Sequence, residues 1–273
     1  MGRGRSKIST NAASNATASS TSSQRQDLAE AFAPGKDYEA VGGVNHSTRT
    51  VSRTTQAEWD AYASKFGADI SGADEAKLFK DYDGKGLYGY FRTTNSMAIN
   101  SQFCKNPGKS PDQIFDKDSK QGRRDLETID ALDRAINSHT TPSDGAYVRY
   151  CRPDSLKRSY GLSDAQMNML LQAPNMSQSQ LAQLNTALKG SKSSSAGYTS
   201  VSANRSLNAF SNPSNVQSKG YTIERRISVK AGTNAYAPKR NAQESEVVFG
   251  RGFTTNFSHV TVEGNHIVIH EYN

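Results

Sequence analysis

Two carboxylates with one residue between them, Glu244 and Glu246, stand directly before the apolar run Val247–Phe249 near the end of the chain. Residues two apart in an extended chain share a face, so the pattern predicts a strand that begins with both acids on one side. Like charges this close repel each other, so the pattern calls for a ligand or another group that interacts with them. Paired carboxylates suit general acid–base catalysis or the stabilisation of a developing positive charge, although the same pattern also occurs on solvated strand edges.

An arginine and two serines precede the acid pair at other places in the chain. Arg149 lies in AYVRY, a run that predicts a strand, and its guanidinium presents a planar fork of donors that suits a phosphate. Ser200 and Ser202 lie in GYTSVS, where a hydroxyl can hold a carboxylate ionised and correctly rotated. Each element alone is typical of an ion pair or a polar strand, so the information lies in their order along the chain.

The order Arg, Ser-x-Ser, Glu-x-Glu resembles the mono-ADP-ribosyltransferases of the Arg / Ser-Thr-Ser / Glu-x-Glu class, which include clostridial binary-toxin components and phage-encoded enzymes. The resemblance covers about residues 85 to 273 and includes SMAINSQF, IDALDRAI and the GTNAY run at 232–236. The chain departs from the class at Val201, where the class has threonine. The loop PKRNAQ before Glu244 also lacks the aromatic residue with which many members contact a target protein, so the target is left open.

The resemblance implies that NAD is a substrate and that ADP-ribose passes to arginine side chains of a host or other target protein, with release of nicotinamide. Breaking the bond between nicotinamide and ribose develops positive charge on the ribose ring, as in glycoside cleavage. In this scheme Glu246 faces that charge and holds a ribose hydroxyl, while Glu244 orients the nucleophile or accepts its proton. Within the class, glutamate rather than glutamine at the position of Glu244 accompanies arginine as the acceptor.

The same resemblance implies the remaining contacts to NAD. Arg149 is expected to bind a phosphate and Ser200 to donate to Glu246, which makes these two, with the acid pair, the expected catalytic residues. The expected NAD-binding residues are Arg149, Tyr150, Tyr198, Ser200, Ser202, Arg205, Phe210 and Glu246, of which Tyr198 and Phe210 either wall the nicotinamide or belong to the core.

No metal is expected, because His266 and His270 lie four apart in a predicted strand, about 13 Å from each other. Neither a Walker loop nor a Rossmann motif occurs in the sequence.

The elements that must position these residues change from helical to extended along the chain. Helices are expected over 55–67 behind a Thr55–Glu58 capping box, after Ser71, from Thr94 or Asn95, over 126–136, and in LSDAQMNMLLQ and SQSQLAQLNTALKG. Short runs rich in Val, Ile, Thr and aromatics predict strands from Tyr198 onward. The predicted fold is α+β, and the resemblance implies an N-terminal helical lobe packed on a mixed two-sheet β-sandwich of the ADP-ribosyltransferase type, with NAD between the sheets.

Two local features of the extended half carry their own expectations. Residues alternate in YTIERRISVK, where the pair Arg225-Arg226 is expected on a solvated face. Gly264-Asn265 separates two predicted strands and is expected to form a tight hairpin.

Composition sets the first 26 residues apart from the rest. They are rich in Ser, Thr and Asn and contain no acid, and Arg3, Arg5, Lys7 and Arg25 supply four of the seven net positive charges. Such a segment cannot bury enough apolar surface to offset the entropy of ordering it. We expect a flexible or partner-docked tail over 1–26, then a helical lobe over 27–142 and the NAD-binding β-sandwich over 143–273, the last two as one compact unit.

The basic tail keeps a second class of function open, a structural or virion-packaged protein with an idle transferase fold whose tail contacts a particle or nucleic acid. Hydrolysis of NAD by water is a further alternative. The sequence has no apolar run typical of a secretory signal or a membrane span, so no membrane partner is expected, and its two cysteines favour a reducing compartment. The expected location is the cytoplasm of a target cell, reached in a phage particle or as a delivered effector.

Overall fold

The computed structural model describes residues 39–40, 44–45, 55–79, 89–91, 95–203, 217–218, 221–239, 244–264 and 266–273. The predicted tail, Arg205, Phe210 and Asn265 of the predicted hairpin turn lie outside these residues. Asp37–Asn273 form one compact unit. The boundaries expected at residues 26 and 142 stay predictions. Within the described part of the chain, no helix is both long and apolar enough to cross a bilayer.

Eight α-helices lie in the described residues. They are α1 (Gln56–Ala63), α2 (Gly72–Phe79), α3 (Asn95–Lys105), α4 (Pro111–Ile114), α5 (Lys120–Asn137), α6 (Pro153–Tyr160), α7 (Asp164–Leu171) and α8 (Gln178–Leu188). A 3-10 turn, Ala173–Asn175, joins α7 to α8. The helices expected from the sequence are all present, and α5 begins earlier than its apolar positions indicate because Ser119 caps it through a bond from Gly122 N.

Local sequence signals start and end these helices. At α1 the predicted capping box is present, since Glu58 N donates to Thr55 Oγ1 at 3.3 Å and Thr55 N donates to Glu58 Oε2 at 2.8 Å. Helix α6 is not among the helices expected from the sequence. Pro153 begins it, and Gly161 ends it with a left-handed φ of 64°. Proline fits the first helical turn and glycine the position after the last, so both signals were present in the sequence.

The strands pair into one mixed sheet and one small ribbon. They are β1 (Glu39–Ala40), β2 (Val44–Asn45), β3 (Gly145–Cys151), β4 (Lys192–Ser194), β5 (Thr199–Ser202), β6 (Gln217–Ser218), β7 (Tyr221–Val229), β8 (Ala235–Tyr236), β9 (Glu246–Phe249), β10 (Thr254–Glu263) and β11 (His266–Tyr272). The order in the sheet is β4-β10-β11-β7-β3-β5-β9-β8, with β6 on β7, and β1 pairs with β2. Among the strands of this sheet that the structure describes, β7 and β11 pair in parallel and the other neighbours are antiparallel.

The sheet is nearly divided between β3 and β5. These strands meet at the single register pair Val148–Ser202, whereas β3 pairs with β7 along its whole length. The two parts face each other across a shared core, in which Tyr147 of β3 meets Phe249 of β9 edge-on with ring centroids 5.7 Å apart. The α+β prediction is confirmed, and the narrow junction gives the sheet its two-part character.

Helices cover the outer sides of both parts. Helices α2, α3 and α5 pack on β8 and β9, where Val248 and Tyr236 join the helical core. Helices α6, α7 and α8 pack on β7, β10 and β11 around Ile223 and Ile267. Helix α1 belongs to the central core between the two parts, where Trp59 is fully buried.

The expectation of a solvated Arg225-Arg226 pair is wrong, because β7 is a central strand buried on both faces. Arg225 binds Glu271 through two hydrogen bonds of 2.6 Å, from Nε and Nη2. Arg226 binds Glu224 at 2.6 Å and Glu263 at 2.7 and 2.6 Å. Buried guanidinium groups require such partners, and three carboxylates supply them here.

Candidate active site

A cavity of about 150 Å³ opens where β3 and β5 part. Its described lining residues are Val148, Arg149, Tyr150, Ser200, Val201, Ser202, Glu244 and Glu246. All three sequence motifs therefore contribute to one site, although the first and last lie about a hundred residues apart along the chain. The division of the sheet explains the convergence, because it leaves the arginine on one rim and the serines and acids on the other.

Glu246 is fixed by a serine on the neighbouring strand. It is the first residue of β9 and pairs in register with Ser202 of β5. The hydroxyl of Ser200 donates a hydrogen bond to Glu246 Oε1. This bond fixes the rotation of the carboxylate.

The expectation of a strand that begins with both acids is wrong. Glu244 and Ser245 form a turn, and β9 begins only at Glu246. Ser245 is buried and has a left-handed φ of 44°, a strained conformation for a residue other than glycine. Ser202 Oγ donates to the Glu244 carbonyl at 2.9 Å, and Ala203 N donates to the Ser245 carbonyl at 2.8 Å. These bonds hold the turn, so both acids line the cavity although they do not share a strand face.

Arg149 bridges the two rims of the cavity. Its Nη1 donates to the Ser200 carbonyl at 2.7 Å, across the junction between β3 and β5. That bond occupies one of the five donors of a guanidinium. Burial lowers the pKa of Arg149, and the neighbouring Arg225 charge lowers it further. A cation so placed, partly buried and close to a second cation, is suited to an anionic ligand such as a phosphate.

Tyr90 is a residue near this site that the sequence analysis did not single out. It is fully buried, and burial raises the pKa of its phenol; the Glu246 carboxylate raises that pKa further, whereas Arg149 lowers it. Asn100 Nδ2 donates to Tyr90 Oη at 2.9 Å, and Asn100 Oδ1 accepts from Tyr198 N at 2.8 Å. Helix α3 is thereby tied to the start of β5, two residues before Ser200. In the sequence, the available signal was the run SMAINSQF, which contains Asn100 and belongs to the resemblance.

The remaining expected NAD contacts lie in different places. Tyr150 lines the cavity, and Ser202 both lines it and supports the Glu244 backbone. Tyr198 is not among the described lining residues; it is buried in the helical core and donates to Asp133 Oδ1 at 2.7 Å. Tyr198 therefore belongs to the core, and its expected contact with NAD stays a prediction.

The match to a family model agrees with this fold. The model of the ADP-ribosyltransferase exoenzyme family matches residues 63–271, so the chain belongs to that family. Enzymes of this family use NAD as the donor of ADP-ribose. The resemblance inferred from the sequence and the expectation of NAD as a substrate are confirmed.

Solved structures of bacterial exoenzymes share the fold. C3stau2 from S. aureus, solved with NAD, is 20% identical, with 80% of this chain and 95% of that chain covered and a TM-score of 0.58. The Clostridium limosum C3 exoenzyme is 18% identical, with 80% and 91% covered and a TM-score of 0.52. An ADP-ribosyltransferase from Clostridium botulinum is 16% identical, with 82% and 97% covered and a TM-score of 0.53. No curated protein matches the chain.

Proposed function

We propose that the protein is an arginine-specific mono-ADP-ribosyltransferase, which transfers ADP-ribose from NAD to arginine side chains of a target protein and releases nicotinamide. The family supplies the enzyme class and the donor; the acceptor is the proposal. The observation that carries it is that Glu244 and Glu246 line one cavity with Arg149, so that one carboxylate is available for each partner of the reaction.

Glu246 is suited to the bond that breaks. Loss of nicotinamide leaves positive charge on the ribose ring, and a carboxylate of fixed orientation stabilises that charge more than the neutral ground state. Ser200 supplies the fixed orientation through its bond to Oε1. At about 150 Å³ the cavity is smaller than the roughly 300–1,000 Å³ of a typical ligand site, so it fits the reacting end of NAD rather than the whole molecule.

Arg149 is suited to the phosphates that follow the ribose. It lies on the opposite rim from the acids, and its bond to the Ser200 carbonyl couples its position to the strand that orients Glu246. A phosphate held there would place the adjoining ribose between the two rims. The arrangement uses charge of opposite sign at the two ends of the reacting fragment.

Glu244 is suited to an arginine acceptor. A guanidinium is protonated at neutral pH, so it needs an anionic partner that orients it and takes up a proton as the new bond forms. Glu244 sits where the chain enters the site, and its backbone carbonyl is held by Ser202. Glutamate at this position accompanies arginine acceptors in the class that the sequence resembles.

The test uses NAD labelled in the adenosine half, with agmatine as a small guanidine acceptor and putrescine as an amine control that lacks the guanidine. We expect transfer to agmatine and none to putrescine. Glu246→Gln should abolish both transfer and NAD hydrolysis, whereas Glu244→Gln should abolish transfer and retain hydrolysis. Free ADP-ribose without any transfer would contradict arginine specificity and support NAD hydrolysis as the activity.

The setting of the reaction stays a prediction from the sequence. The tail over 1–26 lies outside the described residues, and its particle or nucleic-acid partner, phage carriage and delivery into a target cell remain expectations. Labelling of a crude extract with the same NAD, followed by identification of the modified protein, would name the target.

A further inference from the structure

Helix α1 holds the backbone that leads from β8 toward Glu244. The indole Nε1 of the fully buried Trp59 donates to the Pro238 carbonyl at 2.7 Å. One turn earlier, Gln56 Nε2 donates to the Lys239 carbonyl. Both bonds reach backbone oxygens, so they fix the path of the chain whatever side chains stand at those positions.

Strand β5 and the residue after it, Ala203, hold the chain where its description resumes. Residues 240–243 lie outside the described part of the chain, which resumes at Glu244. There Ser202 Oγ donates to the Glu244 carbonyl, and Ala203 N to that of Ser245. Helix α1 therefore holds the described backbone just before residues 240–243, and β5 holds it just after them.

The first turn of α1 is well placed for this task. The Thr55–Glu58 capping box sets where the helix begins, and so sets the positions of Gln56 and Trp59. Just beyond the helix, Asp69 pairs with the Lys239 ammonium. Three contacts from one part of the chain thus converge on two consecutive residues, Pro238 and Lys239.

A second aromatic residue of the same helix contacts strand β3 instead. Tyr62 Oη and Tyr147 Oη lie 3.0 Å apart, and Tyr147 stands two residues before Arg149 in β3. Burial raises the pKa of Tyr147 to about 12. Trp59 and Tyr62 each make one buried polar contact from the same helix. Of the two, only the contact of Trp59 reaches the backbone at Pro238, which precedes Glu244.

We propose that Gln56 and Trp59 are positioning residues for acceptor choice, which set the place of Glu244 and so the partition between transfer to a guanidine and hydrolysis of NAD. The inference rests on the proposed function. Glu246 has its own partner, Ser200, so we expect cleavage of NAD to depend less on these contacts than transfer does. The helix thereby controls the acceptor side of the reaction without touching NAD or the reacting atoms.

The experiment compares Trp59→Phe, which keeps a buried ring, and Gln56→Ala, which alters an exposed residue, with the control Tyr62→Phe. We measure NAD hydrolysis without acceptor and transfer to agmatine in the full chain. The loss of one such bond should lower the ratio of transfer to hydrolysis about five- to tenfold in the first two variants. Tyr62→Phe should leave the ratio unchanged, whatever it does to the melting temperature.

A ratio that stays constant in Trp59→Phe and Gln56→Ala, or falls equally in Tyr62→Phe, would overturn the inference. Hydrogen exchange of the amides over 237–248 gives a second readout that needs no acceptor. Faster exchange there in Trp59→Phe and Gln56→Ala but not in Tyr62→Phe supports the inference, and unchanged exchange contradicts it. A wild-type protein that hydrolyses NAD without modifying agmatine would contradict arginine specificity alone. The exchange data would still test whether α1 positions the backbone around Glu244.

Discussion

Replacing Ser200 by alanine separates the orientation of Glu246 from every other part of the site. The change removes the hydroxyl that donates to Glu246 Oε1. It leaves the Ser200 carbonyl, which binds Arg149, in place. Because a hydrogen bond to a charged group contributes about 1.5–3 kcal/mol, kcat for NAD cleavage should fall about 10- to 150-fold. The KM for NAD should change little, since the arginine contact survives.

The assay is steady-state NAD hydrolysis, with nicotinamide release measured over a range of NAD concentrations. Ser202→Ala is the matched control, because it also removes a serine hydroxyl from the same strand and cavity. The hydroxyl of Ser202 binds the Glu244 carbonyl instead of the Glu246 carboxylate. We expect Ser202→Ala to lower transfer to agmatine more than hydrolysis. A Ser200→Ala enzyme with wild-type kcat, or with a raised KM as its only defect, would refute the role given to this hydroxyl.

Three further predictions concern stability and pH. Glu271→Gln leaves the buried Arg225 without its ionised partner and should lower the free energy of unfolding by about 3–5 kcal/mol in urea titrations. Gly197→Ala brings a Cβ within 2.5 Å of Asn100 Oδ1, and should lower the melting temperature and slow NAD cleavage. Burial lowers the pKa of His259 below 6.5, so the unfolded chain binds more protons near that value and stability should fall as the pH drops through 6.5. His259→Asn should flatten that fall.

The order of three motifs in the sequence led to residues that line one cavity, because each motif sits at the edge where the two parts of the sheet separate. Arg149 and Ser200 lie on neighbouring strands that pair at one register position only. Polar residues at such a junction remain accessible from the cavity. The alternation of polar and apolar residues and the spacing of the motifs therefore predict these residues well. The apolar periodicity of the helices was similarly informative, and capping signals marked where a helix begins, as at the start of α1.

The errors arose where partners lie far apart in sequence or where the backbone leaves regular geometry. Arg225 is buried because Glu271 meets it from the neighbouring strand β11, and local charge patterning contains no trace of that pairing. Ser245 adopts a left-handed backbone conformation, whereas the prediction of a strand through both acids assumes an extended backbone at this residue. Tyr90 lies near the site through a tertiary contact with Asn100 of helix α3, which a single tyrosine in a glycine-rich run does not reveal.

The central claim is that the acids, Arg149 and Ser200 act on one molecule of NAD. A crystal structure of the Glu246→Gln protein with NAD tests it most directly, since the slowed variant preserves the bound donor. We expect the nicotinamide-side ribose beside residue 246 and a phosphate oxygen within hydrogen-bond distance of Arg149. NAD bound elsewhere, or bound with its ribose away from residue 246, would contradict the account.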